Sequence, residues 1–242
     1  MKQAFIFDVF GTLVDWRMGV AAVAGRFFSE RKVTVDPYAF AVFWRSRYQP
    51  AMDRIRTGRR SYVALDRLHR ENLDETITHF DLDAVFDTAA RDAFNHAWEQ
   101  LPAWPDVLPG LEALRPYGLL APCSNGSIAL MSRLARFTGI EWDAIVGADI
   151  AQDYKPEARV YLASCAALGL PPECVTMVAA HNDDLTAARQ AGLKTAFIPR
   201  PMEHGGRRST DAEPTEDWDF VVDRIGGLAV RHGPATVSAR RP

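Results

Sequence analysis

Ala4-Phe5-Ile6-Phe7 is an apolar run that stops on a carboxylate, Asp8, and leads into Val9-Phe10-Gly11-Thr12-Leu13-Val14. Four apolar residues without polar alternation suit a strand buried on both faces, the situation of a strand inside a helix-covered parallel sheet and not of a solvated hairpin. Asp8 then stands at the carboxyl end of that strand. Open α/β sheets bind their ligands at this edge, so Asp8 is a candidate nucleophile or metal ligand as well as a candidate turn residue.

The pattern after residue 14 changes twice. Residues 15–100 read as long helical stretches, with one apolar stripe at Ala21, Val23, Ala24, Phe27 and Phe28 and another at Phe40, Phe43, Trp44 and Tyr48. The Pro-rich link Leu101-Pro102-Ala103-Trp104-Pro105 ends them. Beyond it, helices and strands alternate. Strands are expected at Leu119–Cys123, Ala144–Val146, Val175–Val178 and Thr195–Ile198, and helices at Leu108–Tyr117, Ile128–Thr138, Glu157–Leu168 and Asp184–Ala191. Arg200–Asp217 reads as a loop, Trp218–Leu228 as a last strand and helix, and residues from Val230 onward as a loose tail. The expected fold is α/β: a doubly wound, Rossmann-like parallel sheet of residues 1–14 and 101–242, with residues 15–100 inserted as a helical cap over the strand ends.

Composition narrows the function classes. A chain of 242 residues with 48% hydrophobic and 24% charged residues can bury a sizeable core, and a net charge of −3 gives no electrostatic ground for nucleic acid or membrane as partner. No secretory leader or spanning run is legible, so a cytoplasmic location is expected. Cys123, Cys165 and Cys174 have no close-spaced pair and read as buried thiols. Arg54-Ile55-Arg56-Thr57-Gly58-Arg59-Arg60 lacks interleaved aromatics and precedes Asp66, Glu71, Asp74 and Glu75, so it reads as a solvated face.

Polar clusters follow the later strands. Ser124-Asn125-Gly126-Ser127 is a helix-opening turn able to hold an anion, Asp153-Tyr154-Lys155-Pro156-Glu157 sets a lysine before a helix, and His181-Asn182-Asp183-Asp184 follows a further strand. In a doubly wound sheet these would converge with Asp8 on one cleft. Their order and local sequence resemble the haloacid dehalogenase superfamily. The resemblance makes Asp8 the nucleophile, Thr12 and Ser124 the hydroxyls that donate to carboxylates, Lys155 the motif lysine, and Asp184 an acid that holds Lys155 and orients the hydrolytic water.

Chemistry separates the branches. Superfamily phosphatases carry a second Asp two residues after the nucleophile to protonate the leaving alcohol; here that position is Phe10. Ala179 and Ala180 stand where their motif four supplies a magnesium ligand, and Asp183 is a candidate substitute. Phe7-Asp8-Val9-Phe10-Gly11-Thr12-Leu13, Cys123-Ser124-Asn125-Gly126-Ser127 and Tyr154-Lys155-Pro156 closely resemble the L-2-haloacid dehalogenases. That likeness implies attack of Asp8 on the carbon bearing the halogen, release of halide without protonation, and hydrolysis of the ester to a 2-hydroxy acid, with no metal or cofactor. It implies Arg45 and Asn125 as halide partners and Tyr161 as a neighbour of the lysine. His181 and Asp183 depart from the family pattern, and His181 is expected to line the pocket and donate to substrate or halide. A small haloacid is the expected ligand and a homodimer the expected assembly. A magnesium-dependent phosphatase and a non-catalytic binding module on the same fold are the alternatives.

Overall fold

The computed structural model describes residues 3–206 and 211–232. Strands β1 (Ala4–Phe7), β2 (Leu119–Ser124), β3 (Val146–Gly147), β4 (Val175–Ala179), β5 (Lys194–Phe197) and β6 (Phe220–Val221) form one six-stranded sheet in the order β3-β2-β1-β4-β5-β6. Every pairing is parallel, as the helix–strand alternation requires. The first strand lies at the centre, with Phe7 paired to Pro122 on one side and to Val178 on the other. Its residues alternate between two cores. Phe5 and Phe7 enter one hydrophobic cluster and Ala4 and Ile6 the other, which is why the whole run had to be apolar. The chain order reverses beside β1, where β2 and β4 diverge to opposite sides, and that switch point opens the crevice that holds Asp8.

The helices in chain order are α1 (Trp16–Arg31), α2 (Pro37–Ser46), α3 (Tyr48–Arg56), α4 (Leu65–His79), α5 (Thr88–Asn95), α6 (Val107–Leu114), α7 (Ile128–Thr138), α8 (Ala148–Ala151), α9 (Ala158–Ala167), α10 (Asn182–Gln190) and α11 (Gly226–His232). Some boundaries differ from the sequence expectation. The strand expected at Ala144–Val146 is the two-residue β3, because Ala144 and Ile145 lead in as an irregular segment after Asp143 has turned back to accept from Leu120 N. Helix α10 begins at Asn182 instead of Asp184, which puts both Asp183 and Asp184 in its first turn, where the helix dipole favours carboxylates. The expected tail from Val230 is helical through His232, and residues 233–242 lie outside the described part of the chain.

Helices α1 to α5 occupy the connection between β1 and β2. Asp15, Asp36 and Asp87 cap α1, α2 and α5 by accepting from Met18 N, Tyr38 N and Ala90 N, and Pro37 stands in the first turn of α2. Their apolar faces close on one another through Phe27, Phe28, Phe40, Trp44, Phe86, Phe94 and Trp98, whose ring pairs lie 4.3–6.2 Å apart. This cluster runs without a break into Phe5, Phe7 and Leu13 of the sheet side.

Polar ties reinforce that junction. Tyr62 OH donates to Asp149, Tyr154 OH to Val63 O, and Arg56 Nη1 to Lys155 O at 2.5 Å. The Arg-rich stretch is therefore not a plain solvated face. Arg56, whose side chain is 10% exposed, turns inward and is steadied there by Asp53 and Gln49.

Candidate active site

The segments after β1, β2, β3, β4 and β5 deliver the polar side chains. Asp8 follows β1 and is anchored by its own backbone N–H on Val178 O, 3.0 Å away. Its Oδ1 accepts from Lys155 Nζ at 2.7 Å; its Oδ2 accepts from Thr12 Oγ1 at 2.7 Å and lies 3.1 Å from His181 Nδ1. Thr12 Oγ1 itself accepts from Ala180 N, so its hydrogen is committed to Asp8. Lys155 Nζ reaches Asp184 Oδ2 at 2.5 Å, and Tyr161 OH donates to Asp184 Oδ1 at 2.5 Å. Both Asp184 oxygens are thus engaged.

On the other side of Asp8 a third carboxylate appears. His181 Nε2 lies 3.0 Å from Glu203 Oε2, and Trp16 Nε1 donates to Glu203 Oε1 at 3.0 Å. Gly11 makes room for it. With φ of +91°, Gly11 has a backbone that L side chains rarely adopt, and a Cβ there would fall 2.2 Å from Glu203 Oε1. Asp8, His181 and Glu203 form one chain of hydrogen-bonding groups under the Gly11 turn.

Electrostatics sort the protonation states. Burial works against the Asp8 charge, but Lys155 and His181 together outweigh it and hold this carboxyl far below the usual range. Burial likewise opposes the Lys155 ammonium, which Asp184 and Asp8 keep charged. Asp184 moves the other way, raised by burial and by the Asp8 charge against the pull of Lys155. For His181, burial is overcome by its hydrogen bonds to Asp8 and Glu203, which raise it well above an ordinary imidazole, while burial of Glu203 is overcome by His181 and its pKa is lowered.

These groups open onto a cleft of about 620 Å³, the size of a small-molecule site. Asp8, Phe10, Asn125, Lys155, His181, Asp184 and Glu203 line its floor; Arg45, Tyr48, Asp53 and Arg56 come from α2 and α3. Among the described residues no three His, Cys, Asp or Glu side chains converge as metal ligands, and the space between Asp8 and Asp184 is taken by the Lys155 ammonium.

The profile of the haloacid dehalogenase-like hydrolases matches residues 2–192. A solved structure of a defluorinating L-2-haloacid dehalogenase superimposes with a TM-score of 0.93 at 44% identity, covering 96% of this chain and 95% of that one. This chain belongs to the L-2-haloacid dehalogenase family. A curated family member, the (S)-2-haloacid dehalogenase of Pseudomonas sp. (strain YL), is 29% identical over 222 residues, 90% of each chain. The family enzyme of Xanthobacter autotrophicus, solved with chloropropionic acid covalently bound, is 25% identical with a TM-score of 0.78 over 96% of this chain and 99% of that one.

Within this dehalogenase-family framework the structure brings Asp8, Thr12, Lys155, Tyr161, His181 and Asp184 into direct contact with one another. Asn125 is next to them, but its Oδ1 accepts from Lys155 N at 2.8 Å and it is not bonded to Arg45. Arg45 lines the opposite wall with its guanidinium 3.9 Å over the Tyr48 ring. Ser124 is buried and set back from the cleft, its Oγ accepting from Gly126 N to close the turn. Asp183 stays at the rim and donates nothing to the Asp8 cluster; its Oδ1 accepts from Asp184 N.

Two contributors escaped the sequence reading. Arg56 was hidden in a run of arginines with no feature to distinguish it. Glu203 sits in a Gly- and Pro-rich loop, yet that loop follows β5 and leaves the sheet at the same edge as Asp8, Asn125 and His181, a topological signal that does point to it.

Proposed function

We propose that this chain hydrolyses the carbon–halogen bond of short 2-haloalkanoic acids, giving 2-hydroxy acids, with water as the only other reactant. One observation carries the reading: an Asp8 carboxylate held ionised by Lys155 and His181 faces a cleft in which Phe10 takes the place of a proton donor. Displacement at carbon suits that arrangement, since halide leaves as an anion without a proton. The covalent adduct in the Xanthobacter autotrophicus relative supports the same course.

In the first half, Asp8 Oδ1, which carries only the Lys155 hydrogen bond, attacks the halogen-bearing carbon. A C–O bond forms, the C–X electron pair leaves with the halide, and Asp8 becomes an ester. Arg45 is, among the described residues, the lining cation with no carboxylate ion pair of its own, and it meets the negative charge on the far wall. In the second half, water adds to the Asp8 carbonyl carbon, and the ester C–O bond breaks to release the hydroxy acid.

His181 is the base we assign to that water. Esterification cancels the Asp8 charge that helps to keep the imidazole protonated, so His181 then sheds its Nδ1 proton to solvent while Glu203 holds Nε2–H. It takes one proton from the attacking water and returns it to the departing alkoxide; the second water proton, left on the Asp8 carboxyl, passes to His181 and restores the carboxylate–imidazolium pair. Asp184, with both oxygens engaged by Lys155 and Tyr161, positions the lysine instead.

A panel of fluoro-, chloro- and bromoacetate and both enantiomers of 2-chloropropionate tests the proposal by halide release. Turnover unaffected by EDTA and abolished in Asp8→Asn is expected; release from none of the substrates, with hydrolysis of p-nitrophenyl phosphate that EDTA stops, would favour the phosphatase. Residues 15–100 acting as the cap and a homodimer belong to the same proposal, the second tested by sedimentation.

A further inference from the structure

Lys155 is pinned by four hydrogen bonds, and one of them comes from the inserted helices. Its ammonium is shared between Asp8 Oδ1 at 2.7 Å and Asp184 Oδ2 at 2.5 Å. Its backbone N–H donates to Asn125 Oδ1 at 2.8 Å, and its carbonyl oxygen accepts from Arg56 Nη1. Asp8, Asp184 and Asn125 stand in segments that follow strands of the sheet, whereas Arg56 is the last residue of α3 and reaches in from across the cleft.

The residues behind Arg56 are spaced to aim it. Gln49, Asp53 and Arg56 are four and three apart, so they share one face of α3. Asp53 Oδ1 accepts from Arg56 Nε at 3.1 Å and from Nη2 at 2.6 Å, and Gln49 Oε1 accepts from Nη2 at 2.8 Å. Nε and Nη2 are therefore spent within the helix, and Nη1 is left for the sheet side. The guanidinium is planar and its N–H directions are fixed, so this grip sets where Nη1 points. An exposed pair with Asp53 would contribute little by itself. Here the Arg56 side chain is 10% exposed against 61% for Asp53, because it has turned from solvent to meet a peptide oxygen.

Holding the insert in place does not single out that oxygen. Tyr62 OH on Asp149 and Tyr154 OH on Val63 O tie the same junction, and neither bond touches a reacting group. What distinguishes Arg56 is its target. The lysine stem is flexible, so the place of its ammonium depends on how firmly its backbone is held, and a displacement of about 1 Å at a reacting centre can cost about 10²-fold in rate. We propose that Arg56 is a positioning residue for carbon–halogen cleavage: it clamps the Lys155 peptide so that Nζ bridges Asp8 and Asp184, and it makes that bridge conditional on α3 being seated over the cleft. The inference rests on the dehalogenase reading above. Arg56 acts through Lys155 and transfers no proton.

Single-turnover halide release from bromoacetate, with enzyme in excess, reads the first half of the reaction alone. Its rate constant should fall roughly 10–100-fold in Arg56→Met, with the halide yield per folded site unchanged. Arg56→Lys, which returns a cation without the fork that Asp53 and Gln49 grip, should recover part of the rate, and Asp53→Asn, which loosens the grip and leaves Arg56 in place, should lose less. Tyr62→Phe is the control, since it removes a tie across the same junction without touching Lys155; it should melt lower and keep the wild-type rate constant. Equal losses in Tyr62→Phe and Arg56→Met, or none in Arg56→Met, overturn the proposal. So does a raised KM at an undiminished saturating rate, the mark of a group that binds substrate. Crystals of Arg56→Met give a reading independent of turnover. Lys155 Nζ is expected to leave Asp8 or Asp184, and a lysine that still bridges both at wild-type distances overturns the clamp. A wild-type protein that releases no halide from any haloacid defeats the dehalogenase reading instead, and the position of Lys155 in those crystals still decides whether the clamp exists.

Discussion

His181 couples the two halves of the proposed reaction, because its proton affinity depends on whether Asp8 is a carboxylate or an ester. Removing it should leave the first half intact. His181→Asn is expected to release a burst of one halide per site and then stall, with turnover lowered about 10²–10⁴-fold and a mass increase on the Asp8 peptide; a variant with undiminished steady-state turnover would remove His181 from the mechanism. The same residue shapes the pH dependence of stability. Its pKa is raised on folding, so its contribution is complete below the ordinary histidine value of 6.5 and is lost as pH climbs through the folded value. Asp8 and Glu203 are depressed on folding, so theirs is present above the ordinary carboxylate values and is lost as pH falls through the depressed ones. Melting temperature should therefore decline on the alkaline side in the wild type, and less steeply in His181→Gln.

Among the elements, the turn after β1 and the loop after β5 depend on each other. Gly11→Ala is expected to cost about 1–2 kcal/mol from the left-handed backbone alone, and its Cβ would also drive Glu203 away from His181. Urea midpoints read the first effect, and slowed ester hydrolysis with an unchanged halide burst reads the second. Arg56→Met withdraws a charged donor from Lys155 O and should lower stability by about 1.5–3 kcal/mol. The unequal legibility of these parts has a physical cause. β1, Asp8, Thr12 and Lys155 could be read because a doubly buried strand must be apolar and a strand-end carboxylate needs a cation. Nothing local marks Arg56, an arginine among several whose meaning comes from its contact with Lys155 O on the sheet side. Ser124 is ambiguous for the opposite reason: a hydroxyl in a polar turn suits an anion and a backbone amide equally, and here its Oγ accepts from Gly126 N while its hydrogen stays free to donate.

At the scale of the whole molecule, the apolar cluster that joins α1 to α5 with the sheet implies that the inserted helices do not melt separately. Burial of each large side chain contributes about 1.5–3 kcal/mol, and Phe28, Phe40, Trp44 and Trp98 are all within that shared cluster. Calorimetry should show a single cooperative transition; two resolved transitions would mean that the junction is weaker than its packing suggests. No helix among the described residues is long and apolar enough to cross a membrane.

The position of Glu203 has a consequence for how the two halves of the reaction divide over the chain. The match to the family profile ends at residue 192, so the carboxylate behind His181 comes from a loop outside the matched segment. Under the proposed mechanism, replacing the segment after β5 in this chain would retune ester hydrolysis while carbon–halogen cleavage stays as it was, so the second half of the reaction hangs on a loop and the first on the sheet.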